Sequence, residues 1–319
     1  MIDRPLITIA IPTFNRAASY LPHALGCALA QTYDNIEIIV SDNCSTDETP
    51  ALMARQNDSR VRYHRHEKQL IPNDNFNFCL QQARGEYFLF LLDDEAIDAD
   101  FVTVCVDAMQ RKSRVGIVRT GLRVIDAHNN VLYKLPNNVA GRTLAEFFLG
   151  WFAGDTALYL CNTLFRTDVL REVGFRSKHN LFQDAIAQAK VLACATRVDV
   201  QSIKASTRSH PYQMTYAARV NEWTEDALDL LDLIVSLVPE QRELVRQQGM
   251  RFFARICYSR ASAVKRPTDR IRAYIHVYRD FDRRYPPSAS TILASTMLYR
   301  KLRDIKRRLK GQPAWVAAG

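Results

Sequence analysis

Glycine is scarce in this chain: 11 of 319 residues, and no G-x-G anywhere. That excludes the fingerprint of NAD-dependent oxidoreductases, whose glycines let the backbone approach a pyrophosphate. The first apolar stretch, 7–11, runs into Pro12-Thr13-Phe14-Asn15-Arg16 without a glycine. This weighs equally against a sugar-nucleotide nucleotidyltransferase, which needs a glycine-rich phosphate loop at that place. The seven cysteines are scattered and odd in number, and none forms a C-x-x-C pair. Neither a disulfide framework nor a zinc knuckle is signalled, and the thiols read as reduced, buried residues of a cytoplasmic protein. The N-terminus has no signal-peptide layout. No stretch reaches the roughly 18–20 uncharged apolar residues of a membrane span. The nearest, 227–238, is short and holds Asp229 and Asp232.

What is present is an ordinary globular composition, 47% hydrophobic and 24% charged. The length allows one large or two smaller domains. The net charge of +9 is unevenly placed. Residues 221–319 carry 19 Lys+Arg against 11 Asp+Glu, whereas 1–220 are almost neutral. The shift sets an expected boundary near 220, with a catalytic domain over 1–220 and a basic helical region over 221–319.

Strand and helix alternate at βα spacing through the first part. Strands are expected at 7–11, 36–40 and 61–64, with helices at 17–31, about 45–55 and 75–83. The second helix would open on a Ser45-x-x-Glu48 capping box, with Pro50 in its first turns. This alternation argues for a mostly parallel sheet flanked by helices. Further on, a helix is expected at 100–112 and a strand at 115–120. A hairpin over 122–126 and 131–134 turns at His128-Asn129-Asn130. A helix at 143–151, a strand-like run at 158–165, helices at 167–173 and 183–195 and a strand at 197–203 complete the pattern. Arg208 opens a loop. From 221 the pattern is helical throughout.

The stretch at the centre is 88–95, Phe-Leu-Phe-Leu-Leu-Asp-Asp-Glu. An unbroken apolar run of that length suits a strand buried on both faces. It delivers Asp93, Asp94 and Glu95 to its carboxyl end, where open α/β sheets bind ligands. Three adjacent carboxylates repel one another unless a cation or a set of donors lies among them. The triplet reads either as a divalent-metal site or as a solvated acidic turn leading to Asp98 and Asp100, one of which caps the next helix.

Taken in order, I-P-T-F-N-R, S-D-N-C-S-T-D-E-T, N-F-N-F-C-L-Q-Q-A-R-G-E-Y, F-L-F-L-L-D-D-E, N-T-L-F-R-T-D-V-L-R-E-V-G-F, F-Q-D and R-S-H-P make a specific set. It resembles the family-2 glycosyltransferases of GT-A fold, over about the first two-thirds of the chain. The resemblance implies an α/β, Rossmann-like sheet with a C-terminal helical extension. It implies an inverting transfer of a sugar from a nucleotide-diphosphate donor, UDP-linked, to a glycan or lipid-linked acceptor in cell-surface polysaccharide synthesis. The competing expectation is a decayed nucleotide-sugar-binding or scaffold protein.

The resemblance also assigns residues. Pro12, Thr13 and Phe14 border the nucleoside, with Asn15 and Arg16 beside them, and Asp42 bonds the base. Phe14 has a face for stacking, although core packing is its alternative. Asp42 is otherwise a turn or cap residue. Arg84 meets a phosphate or serves as a helix C-terminal cation. Asp93 holds the ribose or a metal-bound water. Asp94 is the metal ligand for Mn²⁺ or Mg²⁺, with Glu95, where relatives often have Asp, and His210 as further ligands. Asp184 is the general base of the family's Glu-Asp pair, or a residue favouring a helix N-terminus. Gln183 replaces the Glu. Arg208 closes over the diphosphate. Trp151 and Tyr159 line the acceptor side or pack in the core.

A last expectation concerns 288–310. Leu298, Leu302, Ile305 and Leu309 share a helical face, and lysines and arginines cover the rest. The segment reads as a helix lying on the anionic inner face of a membrane, or as one packed on its neighbours. Nucleic acid is not an expected partner, because no recognition motif accompanies the charge.

Overall fold

The computed structural model describes residues 4–109, 112, 114–209, 218–288 and 292. Two compact units divide the chain, Met1–Ser209 and His210–Gly319.

The first unit is built on one nine-stranded sheet. Its strands are β1 (Ile7–Thr13), β2 (Ile36–Asp42), β3 (Val61–Arg65), β4 (Tyr87–Phe90), β5 (Ala96–Ile97), β6 (Val115–Ile125), β7 (Val131–Leu135), β8 (Thr163–Arg166) and β9 (Thr196–Arg208). Its helices are α1 (Leu21–Leu29), α2 (Thr49–Ala54), α3 (Pro72–Gln82), α4 (Phe101–Met109), α5 (Leu144–Ala153), α6 (Thr167–Val173) and α7 (Gln183–Cys194). The sheet order is β3-β2-β1-β4-β8-β6-β9-β5, with β7 on β6.

β1, β2 and β4 are buried at every position, and Glu37, the charged residue inside β2, is satisfied by the Thr8 hydroxyl and Arg62. They and β3 pair in parallel. Beyond β4 the sheet is mixed. β8 is antiparallel to both β4 and β6, β6 is parallel to β9, and β5 is antiparallel to β9. The register pairs Thr13 with Asp42, so the ends of β1 and β2 open on one edge.

Several local expectations are corrected. The Ser45–Glu48 box does not form: α2 starts at Thr49 with no side-chain cap. The Ser45 hydroxyl instead accepts the Asn15 backbone N–H at 2.9 Å, and the Ser45 N–H goes to Asp42. The strands expected at 115–120 and 122–126 are one strand, β6, passing through Gly121. A side chain at Gly121 would meet Ile203 Cγ1 at 2.8 Å, so β9 crowds that point. Of the strand-like run 158–165 only Thr163–Arg166 pairs; Leu158, Leu160 and Cys161 are buried outside the ladder. β9 runs on to Arg208, further than expected. At 143 the helix start is as read, and Thr143 and Glu146 form a reciprocal capping box.

The second unit holds α8 (Val220–Ser236), α9 (Arg242–Ala263) and α10 (Pro267–Asp280). α8 buries Trp223, Ala227, Leu230, Leu231 and Ile234, and α9 buries Val245, Phe253, Cys257 and Ala261. His210 and nearly all of the expected helix at 288–310 lie outside the described residues. Among the described residues no helix is long and apolar enough to cross a membrane.

Candidate functional site

Parallel pairing of β2, β1 and β4 brings three loops to one end of the sheet, the end where α/β sheets bind ligands. The loop after β1 is braced by its own asparagine. Asn15 adopts the left-handed region, φ 54°. Its Oδ1 accepts the Thr46 N–H at 2.8 Å, so the loop after β2 is tied to it. Pro12 and Thr13 are buried, Phe14 is 38% exposed, and Arg16 stacks its guanidinium over the Tyr20 ring. An exposed ring at a strand end costs solvation, which a stacked base would recover.

Asp42 is fully buried. Its Oδ1 accepts the Ser45 N–H at 2.8 Å and its Oδ2 accepts the Tyr63 hydroxyl at 2.6 Å. Burial, then the bond to Asp42, pushes the Tyr63 hydroxyl well above its ordinary pKa and keeps it a donor. Sequence reasoning missed Tyr63; its signal was the alternation of β3, which faces it toward the end of β2.

The acidic turn separates its three carboxyls. Asp93 Oδ2 accepts the Thr13 hydroxyl at 2.8 Å. Burial, and then the charge of Asp94, push Asp93 up to about 7. Glu95 points inward and is 3% exposed. Its Oε2 accepts the Leu92 N–H at 3.1 Å, with Cys161 and Thr207 acting on it nearby. Burial first, Asp94 second, push Glu95 up to about 8. Glu95 therefore braces the turn from inside, and Asp93 and Asp94 are left at its outer side. Among the described residues, no three His, Cys, Asp or Glu side chains converge as a metal site. The donor chemistry of the Asp93–Asp94 pair, two adjacent partly exposed carboxylates at a strand end, suits a hard divalent cation. Hard divalent ions bound by one or two carboxylates take phosphate oxygens and water for the rest.

Arg208, at the end of β9, is 2% exposed. Its Nε donates to the Asp94 carbonyl at 3.0 Å and its Nη1 to the Asp126 carbonyl at 2.7 Å, while the guanidinium lies over the Tyr20 ring. It fixes the backbone of the acidic turn. Arg84 is exposed, and its backbone N–H donates to Glu37 at 2.6 Å. Its side chain is not brought to the turn by any contact that the structure records.

Asp184 sits in the first turn of α7, after Phe182 in the left-handed region. Its Oδ1 accepts the Ala185 N–H at 2.8 Å, and burial pushes the carboxyl up to about 6. Gln183 Oε1 is buried with no hydrogen-bond partner. One turn on, Gln188 holds the helix: it accepts from Arg119 Nε and the Thr163 hydroxyl, each at 3.2 Å, and donates to the Tyr159 carbonyl. Arg119 is fully buried and also donates to Thr156 Oγ1 at 3.0 Å. Locally, only an arginine within an apolar strand marks this anchor. Tyr159 joins the two halves of the site. Burial pushes its hydroxyl well above its ordinary pKa, and Tyr133, Asp184 and Glu95 all act on it electrostatically. Trp151 is half-buried on α5 and stacks beside Phe152.

A family model described as Glycosyl transferase family 2 matches residues 8–174, just over half of the chain. The chain is 35% identical over 163 residues to a Campylobacter jejuni protein named GalNAc(5)-diNAcBac-PP-undecaprenol beta-1,3-glucosyltransferase, covering 47% of this chain and 50% of that one. It is 27% identical over 258 residues to an uncharacterized glycosyltransferase of Rickettsia conorii, covering 78% of this chain and 41% of that one. Across the Rickettsia relatives the match takes in 20–41% of their length. Among solved structures, S. aureus TarS 1–349 in complex with UDP-GlcNAc superposes with a TM-score of 0.61 at 15% identity, covering 96% of this chain and 92% of that one. The Pyrobaculum calidifontis mannosyltransferase PcManGT in complex with GDP-Man and Mn²⁺ gives 0.56 at 15%, covering 96% and 85%. At these identities the likeness is one of fold.

Proposed function

The chain belongs to glycosyl transferase family 2, and from that premise we propose a metal-dependent inverting transferase. It moves a sugar from a nucleotide-diphosphate donor, UDP-linked, to a glycan or lipid-linked acceptor, acting from the cytoplasmic side in cell-surface polysaccharide synthesis. The observation that carries the reading is the meeting of Thr13, Asp93 and Asp94 at the carboxyl ends of β1 and β4. The undecaprenol-linked substrate in the name of the Campylobacter relative supports the acceptor class. The UDP-GlcNAc held by TarS supports the donor class.

In this mechanism Phe14 and Asp42 border the nucleoside, and Asp93, oriented by Thr13, bonds the ribose. Asp94 holds the cation, Mn²⁺ or Mg²⁺, which supplies charge neutralisation to the diphosphate. Glu95 and Arg208 hold the turn that presents Asp94. Asp184 takes the proton from the acceptor hydroxyl. The hydroxyl oxygen then bonds to the anomeric carbon on the face opposite the nucleotide. The carbon–oxygen bond to the diphosphate breaks, and the nucleoside diphosphate leaves with that electron pair. A single displacement of this kind inverts the anomeric centre.

The test is a thermal-shift screen of nucleoside diphosphates and nucleotide sugars, with and without Mn²⁺, on wild type and Asp94→Ala. One nucleotide should stabilise the wild type only with metal, and the variant not at all. Turnover of that donor with lipid-linked acceptors, followed by the anomeric proton coupling of the product, then reads the stereochemistry. Metal-supported binding without turnover on any such acceptor assigns a binding or scaffold role instead.

A further inference from the structure

We propose that α10 is a membrane-docking surface that lays an apolar stripe onto an anionic lipid bilayer. The proposal stands without the glycosyltransferase reading. It concerns described residues distinct from the basic stretch at 288–310.

Three polar residues of the helix, Tyr274, His276 and Asp280, are turned toward the other helices of the unit. Asp280 Oδ2 accepts the Thr224 hydroxyl of α8 at 3.0 Å, His276 Nε2 lies 3.2 Å from the Thr224 Oγ1, and His276 and Asp280 pair at 3.1 Å. Tyr274 hydrogen-bonds Ser262 of α9 at 2.9 Å. The opposite face carries Ile271, Ile275 and Tyr278, at the i, i+4 and i+7 spacing of one helical stripe. These are 58%, 53% and 37% exposed. Val277 is the one residue of α10 that is fully buried. A soluble helix normally buries such a stripe and turns its ion pairs outward.

The charge beside the stripe selects the occupant. Arg272 and Arg279 follow Ile271 and Tyr278 directly and are exposed. Arg266 precedes the helix, and Arg283 and Arg284 follow it, all exposed. Asp269 pairs with Arg272 at 3.5 Å, and Asp280 faces α8. Asp282, before Arg283, is exposed as well, so five arginines stand against Asp269 and Asp282 and the rim is net cationic where the apolar face is open. Two isoleucines reach the acyl boundary, a tyrosine suits the headgroup level, and arginines meet lipid phosphates while their stems cover apolar surface. The net positive charge of the rim matches an anionic lipid surface.

The experiment is sedimentation of the full chain with vesicles of phosphatidylcholine alone or mixed with phosphatidylglycerol. Wild type should bind the mixed vesicles, bind the neutral ones weakly, and release in high salt. Ile271→Ser/Ile275→Ser should weaken partitioning by about tenfold or more while melting as wild type does, because both side chains are exposed. Arg272→Gln/Arg279→Gln, which leaves the stripe intact, should weaken binding to the mixed vesicles only, and it serves if the serine variant does not fold. Equal binding by wild type and both variants overturns the proposal and moves the contact to another part of the chain. No binding by wild type overturns it too. So does a wild-type dimer by sedimentation equilibrium that the serine variant dissociates, which makes the stripe an interface between two copies.

Discussion

The Thr13 hydroxyl donates to Asp93 Oδ2 at 2.8 Å across 80 residues of sequence. That bond joins the loop after β1 to the end of β4 and orients the carboxyl proposed for the ribose. Thr13→Val and Asp93→Asn should each weaken UDP binding, and the double variant should lose less than the sum. A coupling of about 1.5–3 kcal/mol is expected for a hydrogen bond to a charged group. Calorimetric titration of all four proteins with UDP and Mn²⁺ measures it, and strict additivity would mean that the bond does not act on the ligand.

Asp94→Asn removes the charge proposed to hold the cation and keeps the size of the side chain. UDP at about 100 times its dissociation constant should stabilise the wild type by roughly 2.7 kcal/mol when Mn²⁺ is present. The variant should show the same melting temperature with and without metal. Melting curves read this directly, and an unchanged metal effect in the variant refutes the assignment.

Glu95 braces the turn through the Leu92 N–H. Glu95→Gln keeps an acceptor for the Leu92 N–H, so metal-supported UDP binding should change by less than about tenfold, or 1.4 kcal/mol. Glu95→Ala leaves the part-buried Leu92 N–H without its acceptor and should cost about 1 kcal/mol in urea unfolding. If Glu95→Gln abolishes binding as Asp94→Asn does, Glu95 is a metal ligand after all.

Asp184→Asn should lower kcat by about 10²–10⁴ with donor affinity unchanged, as expected for loss of a general base. Burial pushes the carboxyl up to about 6, and the base works deprotonated, so kcat should rise with pH through about 6 and level off above it. Folding carries the opposite sign. The folded protein keeps this proton to about pH 6, whereas the unfolded chain loses it near 3.9, so the group's contribution to stability falls as pH rises across that window. The variant should lack both slopes. Rate profiles and urea midpoints at stepped pH test the two separately.

Gly85 sits where β4 begins against β1. A β-carbon there would lie 2.5 Å from the Thr8 backbone nitrogen and 2.8 Å from the Leu6 carbonyl. Gly85→Ala should cost about 1–3 kcal/mol through forced backbone shifts. A urea midpoint equal to that of wild type would show that the strand start yields freely.

The parallel part of the fold was legible because burial on both faces leaves a simple trace. Ile7–Thr13, Ile36–Asp42 and Tyr87–Phe90 are mostly apolar runs, broken only by Glu37 among charged residues before the strand ends, and turn residues separate them from amphipathic helices. The antiparallel part was less so. Whether Gly121 interrupts β6 depends on how closely Ile203 of β9 approaches, which is a tertiary fact. Ser45 has the residue type of a cap, yet the competing donor, the Asn15 N–H, comes from 30 residues away. At the site, sequence showed three adjacent acids but not the direction of each. The Glu95 N–H bonds the Leu92 carbonyl at 2.9 Å, and that tight turn rotates its side chain inward. Tyr63 under Asp42 and Gln188 behind Asp184 are brought close by pairing and packing, and no local motif marks them.

Arg208 grips the Asp94 carbonyl from 114 residues downstream. During synthesis at about 5–20 residues per second, the acidic turn leaves the ribosome roughly 6–23 s before its clamp is made. β9, which ends in that clamp, also supplies the pairing for β5 and for most of β6. A chain stalled before β9 therefore presents the first motifs without the grip on Asp94, and the nucleotide capture proposed for this site becomes a property of the finished domain.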